Sequence, residues 1–211
     1  MPLIEPGSAA PAFRLPDAKG TVHTLASLKG KTVVLYFYPK DDTSGCTDEA
    51  CQFRDLLPKF TTAKAVVLGV SPDGSTSHAK FASKHGLSFT LLADEPGPKG
   101  VPATCSAYGT WQEKSMYGRK YFGVVRTTYL IGPDGKVLRR WDKVSVPGHA
   151  AEVLAAIAGG KAATAKTTAS GAARVVKAAK SAKSAVRAKV AKTARKPAAK
   201  PAAKATRRSR G

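Results

Sequence analysis

Cysteine is scarce in this chain. There are three, at positions 46, 51 and 105 of 211 residues. An odd count disfavours a closed set of structural disulfides. Scarcity fits a reducing, cytoplasmic compartment, where a close pair is more often catalytic or metal-binding than structural. Long apolar runs are also missing, so no stretch reads as a membrane span. The opening "MPLIEPGSAAPAFRLPD" has neither the basic start nor the continuous apolar run of a secretory signal. Zinc spacings are absent: the close pair is C-x4-C, not C-x2-C, and no His-x3-His follows. The thioredoxin-type C-x-x-C is absent as well. His23, His78, His85 and His149 lie scattered in surface-like contexts, in neither triad nor ligand spacing. They receive no function.

Acidic residues stop before the last quarter of the chain. Residues 161–211 hold sixteen Lys or Arg and no Asp or Glu, out of 35 basic and 14 acidic residues in all. The remainder therefore nets +5 of the total +21. The two parts divide as a folded domain over 1–160 and a Lys/Ala/Arg-rich tail over 161–211. The tail has no aromatic residue, cannot bury enough apolar surface to offset chain entropy, and is expected to be disordered in isolation. Its "KPAAKPAAKA" repeat blocks a helix. Ala172–Arg195 lacks proline and sets Lys177, Lys180, Lys183 and Arg187 on one face. That segment is expected to become helical once its charge is neutralised, which circular dichroism with and without DNA tests.

Within the domain, strands and helices alternate. "KTVVLYFY" (Lys31–Tyr38) and "AVVLGVS" (Ala65–Ser71) are short β-branched runs of the buried-strand kind. Between them Ala50, Phe53, Leu56, Leu57 and Phe60 recur at helical spacing. Pro72 to Ser77 reads as a turn feeding a helix that ends at Gly86. "SFTLLAD" (Ser88–Asp94) is a third strand, and a short helix or turn follows near Cys105–Tyr108. "VVRTTYLIG" (Val124–Gly132) and "VLRRW" pair across "GPDGK" as a hairpin. "PGHAAEVLAAIAG" (Pro147–Gly159) is the closing helix. An N-terminal hairpin is expected over "AFRLPDAKGTVHTL". The expected class is α/β, a mixed central sheet flanked by helices in a thioredoxin-like fold.

"YPKDDTSGCTDEACQFRD" sets Cys46 and Cys51 among carboxylates, which blunt a thiol. Two features oppose the acids. Cys46 falls where a strand ends and a helix begins, and a helix N-terminus favours an anion. Arg126 opens a strand that would lie beside "VVLYFY" and bring a guanidinium to the sulfur. If both cysteines share one helix, about 7.5 Å of rise and about 140° of rotation separate them. A disulfide needs Cα atoms within about 7 Å with side chains facing. An intact helix therefore forbids a Cys46–Cys51 bond. If the pair is a redox couple, the first turns must unwind in each cycle.

The run "PKDDTSGC" is P-x3-T-x2-C, made by Pro39, Thr43 and Cys46, and resembles the active-site signature of peroxiredoxins. With Cys51 five residues on, and with "WQEKSMYGRKYFGVVRTTYLIGPDGKV" later, it is similar to the bacterioferritin-comigratory-protein (peroxiredoxin Q) subfamily, from about Leu3 to Ala158. The resemblance implies a thiol peroxidase. Cys46 would be the peroxidatic cysteine, becoming a sulfenic acid. Thr43 would hold the peroxide, Arg126 would stabilise thiolate and developing charge, and Pro39 would shield the sulfenic acid. Cys51 would be the resolving cysteine, giving an intramolecular disulfide that a thioredoxin-type dithiol reduces. No metal or organic cofactor is implied, and the protein would be a monomer or weak dimer. One departure is a loop, "DEPGPKGVPATCSAYGTW", longer than the family's by a few residues. Cys105 beside it is a second resolving candidate or a bystander; bystander is preferred, because C-x4-C already supplies a partner.

Blander roles stand beside these. Thr43 fits a helix cap, Arg126 fits an ion pair with Glu49, and Trp111 and Tyr117 fit packing. Asp41, Asp42 and Asp48 read as a solvated loop and helix start, with Asp48 and Glu49 complementing the helix N-terminus. The tail's charge is an electrostatic footprint for polyanions, compositionally like linker-histone tails. It has no aromatic to stack on bases and no apolar residue of the inserting kind, so sequence-independent DNA or RNA binding is favoured over anionic lipid. That would make the protein nucleoid-associated within the cytoplasm. The alternative function is a nucleic-acid-binding protein whose redoxin domain is a redox sensor or structural module.

Overall fold

The computed structural model describes residues 1–116 and 118–159. The expectations of a disordered tail, of its conditional helix and of a packing role for Tyr117 fall outside the described residues. In chain order the elements are β1 (Arg14–Pro16), β2 (Val22–Thr24), a 3-10 turn (Ala26–Leu28), β3 (Thr32–Phe37), α1 (Ser44–Thr62) and β4 (Ala65–Ser71). Then come α2 (Ser75–His85), β5 (Thr90–Ala93), α3 (Ala103–Ala107), β6 (Trp111–Met116) and β7 (Arg119–Val124). The last three are β8 (Thr127–Ile131), β9 (Val137–Asp142) and α4 (His149–Ala158). Among the described residues no helix is long and apolar enough to cross a membrane.

The central sheet runs β5-β4-β3-β8-β9. β3 pairs parallel to β4 and β4 parallel to β5, while β3–β8 and β8–β9 are antiparallel. This is the expected mixed α/β architecture. Period-two alternation splits β3 between two cores. Val34 and Tyr36 pack with Phe53 of α1, Phe81 of α2 and Val153 of α4. Val33, Leu35 and Phe37 pack on the opposite face with Leu15, Cys105 and Tyr108. Burial on both faces explains the unbroken apolar run.

The elements depart from the sequence reading in three places. β6 and β7 form a separate two-stranded ribbon that was not foreseen. "VVRTTYLIG" is two elements, because Val124 ends β7 and β8 starts at Thr127, leaving Arg126 in the joint. Ser75–Ser77 belong to α2 and not to a turn, since extended Gly74 is already the N-cap. The helix then stops where expected, at Gly86 with φ +61°, a conformation glycine adopts without Cβ strain.

Candidate active site

α1 begins directly under the C-terminal end of β3. Thr43 is its N-cap residue in extended conformation, so Cys46 falls in the first turn. The Thr43 hydroxyl does not cap the helix; it donates to the Lys40 carbonyl at 3.1 Å. Lys40 and Thr43 are exposed, as is Pro39 at the head of the loop, whereas Cys46 is only 1% exposed and part of the core.

Sheet register brings in the cation. Antiparallel pairing of β3 and β8 sets Phe37 opposite Thr127. Arg126 therefore arrives at the end of β3 from which the Tyr38–Thr43 loop departs. Its Nη2 donates to Cys46 Sγ at 3.1 Å, and its Nη1 bonds Glu49 Oε2. Arg126 thus holds both contacts at once. Glu49 is 1% exposed and its Oε1 has no hydrogen-bond partner among the described residues. Burial pushes its carboxyl up to about 7, an effect the Arg126 charge only partly offsets.

Lys114 on β6 escaped the sequence reading. Its Nζ donates to the Val124 carbonyl at 2.9 Å, two residues before Arg126. Burial lowers its pKa, the Arg126 charge lowers it further, and Cys46 opposes both. No local signal marked it, because the strand carrying it was itself unrecognised.

Cys46 and Cys51 both lie on α1, and both thiols are free. Cys51 is half-buried. Cys105 sits on α3, on the other side of the sheet from Cys46 and fully buried. Its backbone N–H donates to Asp94 Oδ2 at 2.6 Å. Burial, with the Asp94 charge, pushes its thiol far up, so the thiolate is disfavoured there.

Several polar residues read as surface are not. Asp41 is 7% exposed, His78 fully buried and His149 3% exposed. The packing of α2 and α4 against α1 and the sheet covers them, which local sequence does not reveal. The His149 ring makes T-shaped contacts with Phe53 and Trp141 and lies 2.8 Å from the Thr128 hydroxyl. Burial, then the charges of Arg126 and Arg139, hold its pKa down at about 4. His23 and His85 do lie nearer solvent, paired with Asp17 and Asp42. Asp48 and Glu49 do not serve the helix N-terminus, because no acidic residue falls in the first turn. Trp111 packs against the second core and stacks on Phe122.

Comparison with known proteins fits this arrangement. The model of the AhpC/TSA family matches residues 6–140. A putative peroxiredoxin of the Bcp type from Coxiella burnetii is 48% identical over 151 residues, 72% of this chain and 97% of that protein. Peroxiredoxin Bcp of Bacillus subtilis is 44% identical over 72% of this chain and 93% of its own. Among solved structures, the bacterioferritin comigratory protein of Xanthomonas campestris superposes with a TM-score of 0.65 at 44% identity, over 70% of this chain and 90% of its own. The Xanthomonas protein has alkyl peroxide reduction activity.

Proposed function

Because the chain belongs to the AhpC/TSA family and is a peroxiredoxin-type thiol peroxidase, we propose that Cys46 is its peroxidatic cysteine and Cys51 its resolving one. The observation that carries this reading is the Arg126 guanidinium on a buried first-turn sulfur, at 3.1 Å. The Cys46 thiolate attacks the terminal oxygen of hydrogen peroxide or an organic hydroperoxide. The O–O bond breaks, and the departing oxygen takes up a proton and leaves as water or alcohol. Arg126 places positive charge where charge develops, Thr43 orients the peroxide, and Pro39 covers the sulfenic acid. Cys51 then attacks the sulfenic sulfur, water leaves and a disulfide forms. A thioredoxin-type dithiol returns both thiols.

Peroxide consumption coupled to thioredoxin and its reductase tests this, with wild type compared with Cys46→Ser. Turnover is expected in wild type alone. Equal, slow consumption by both proteins overturns the enzyme reading for Cys46.

Residues 161–211 lie beyond the matched family region, and their charge supports a second module that binds nucleic acid without sequence preference. If about 8 phosphates are neutralised, log K falls with log salt at a slope of about −7. Removing 161–211 is expected to leave turnover intact and abolish retention on DNA. Loss of turnover in the shortened protein contradicts the two-module account.

A further inference from the structure

A second buried polar cluster lies just upstream of Cys46, under the Lys40–Asp42 loop. Asp41 Oδ1 accepts from the Tyr38 hydroxyl at 2.7 Å. Its Oδ2 accepts from the Ser77 hydroxyl at 2.7 Å and sits 2.8 Å from His78 Nδ1. An ionised carboxylate offers no proton, so Nδ1–H of His78 is the donor. Burial alone would raise the Asp41 carboxyl, but its bonds from His78, Ser77 and Tyr38 hold it below the usual range. His78 Nε2 is left buried with no hydrogen-bond partner among the described residues. An apolar core here would avoid that unsatisfied atom and the buried charge, so stability alone does not account for the cluster.

One peptide group links the cluster to the site. The backbone N–H of Asp41 donates to Asp73 Oδ2 at 2.7 Å, and Ser71 Oγ holds the same oxygen at 2.8 Å. That N–H and the Lys40 carbonyl are opposite ends of one planar unit. Fixing the N–H fixes the carbonyl, and the carbonyl takes the only proton of the Thr43 hydroxyl. Thr43 Oγ1 is thereby left with lone pairs to offer. Beyond Asp41 the loop is pinned again: Asp42, at φ +56°, bridges Lys84 and His85 of α2.

We propose that His78, Asp41 and Asp73 are positioning residues that hold the Lys40–Asp41 peptide so that the Thr43 hydroxyl accepts a hydrogen bond from the peroxide. This rests on the reading of Cys46 and Thr43 given above. The acceptor role fixes the orientation of the incoming O–OH group relative to the sulfur.

The test compares two reactions of Cys46 in the full chain: oxidation by hydrogen peroxide in stopped flow, and alkylation by iodoacetamide followed by mass spectrometry. Alkylation has no use for Thr43. His78→Leu and Asp73→Ala are expected to slow peroxide oxidation by about ten- to a hundredfold, the range for displaced positioning groups. Alkylation should remain near wild type. His78→Asn, which restores a donor at the Nδ1 position, should recover most of the loss. Asp73 is only half-buried, so Asp73→Ala decides the matter if His78→Leu does not fold. Thr43→Val separates the two levels of inference. If it leaves peroxide oxidation unchanged, the reading of Thr43 fails. If it slows oxidation while Asp73→Ala does not, or if Asp73→Ala slows both reactions equally, the positioning role fails.

Discussion

Asp48 offers a direct handle on the helix opening. It is exposed, on α1 between the two cysteines, and makes no side-chain hydrogen bond among the described residues. Ideal helix geometry sets the Cα atoms of Cys46 and Cys51 about 8.6 Å apart and about 140° around the axis. That exceeds the span of about 7 Å a disulfide tolerates. The turns from Ser44 to Cys51 must therefore open before the sulfurs meet. The opening has a natural limit just beyond Cys51. Gln52 accepts from the Gly148 N–H at 3.0 Å, Phe53 is fully buried, and Arg54 donates to the His85 carbonyl at 2.6 Å. Asp48→Ala and Asp48→Gly remove the same charge and differ in helix propensity by about 1 kcal/mol. If opening is an unfavourable pre-equilibrium, the glycine variant should form the disulfide about fivefold faster than the alanine variant. Oxidation of Cys46 by peroxide should be equal in the two. Rapid-quench mass spectrometry follows both steps. Equal disulfide rates, or a slower glycine variant, refute the reasoning that an intact helix blocks the bond.

Other consequences follow from the same contacts. Arg126→Gln is expected to slow Cys46 oxidation by about 10²–10³-fold and to leave the buried Glu49 carboxyl without its cation. Adding Glu49→Gln should regain thermal stability but not the rate, as stopped flow and calorimetry will show. His149 has a folded pKa near 4, below its ordinary 6.5. The unfolded chain thus binds more protons between those values, and stability is complete above pH 6.5 and falls toward pH 4. The loss is up to about 3 kcal/mol; denaturant titrations should show it in wild type and a flatter profile in His149→Gln. Cys105→Ala is expected to leave both thiol steps unchanged while lowering stability by about 1 kcal/mol through the small void, read from paired kinetics and unfolding curves.

The strands of the central sheet were legible because they are buried on both faces, and β-branched runs such as "TVVLYF" have few other uses. The ribbon of β6 and β7 was not. Its "RKYF" stretch is exposed throughout, so neither face carries an alternating apolar signal. The meeting of Arg126 with Cys46, across 80 positions, followed from expecting β8 beside β3 together with the P-x3-T-x2-C resemblance. Asp41 and His78 were misread because "KDDT" and "STSHAK" look polar and local. Only the seating of α2 against the loop turns them into an interior pair. Glu49 was half legible: its partner was foreseen, its complete burial was not, because the helical period marked Ala50 and Phe53 as the inward face and gave no sign that a carboxylate turned inward too.

Mass spectrometry of the non-reduced protein after one equivalent of peroxide tests the central claim most directly. A peptide linking Cys46 to Cys51, with Cys105 still free, is the predicted product. A bond from Cys46 to Cys105, or a Cys46 sulfenic acid that persists while Cys51 stays reduced, contradicts it.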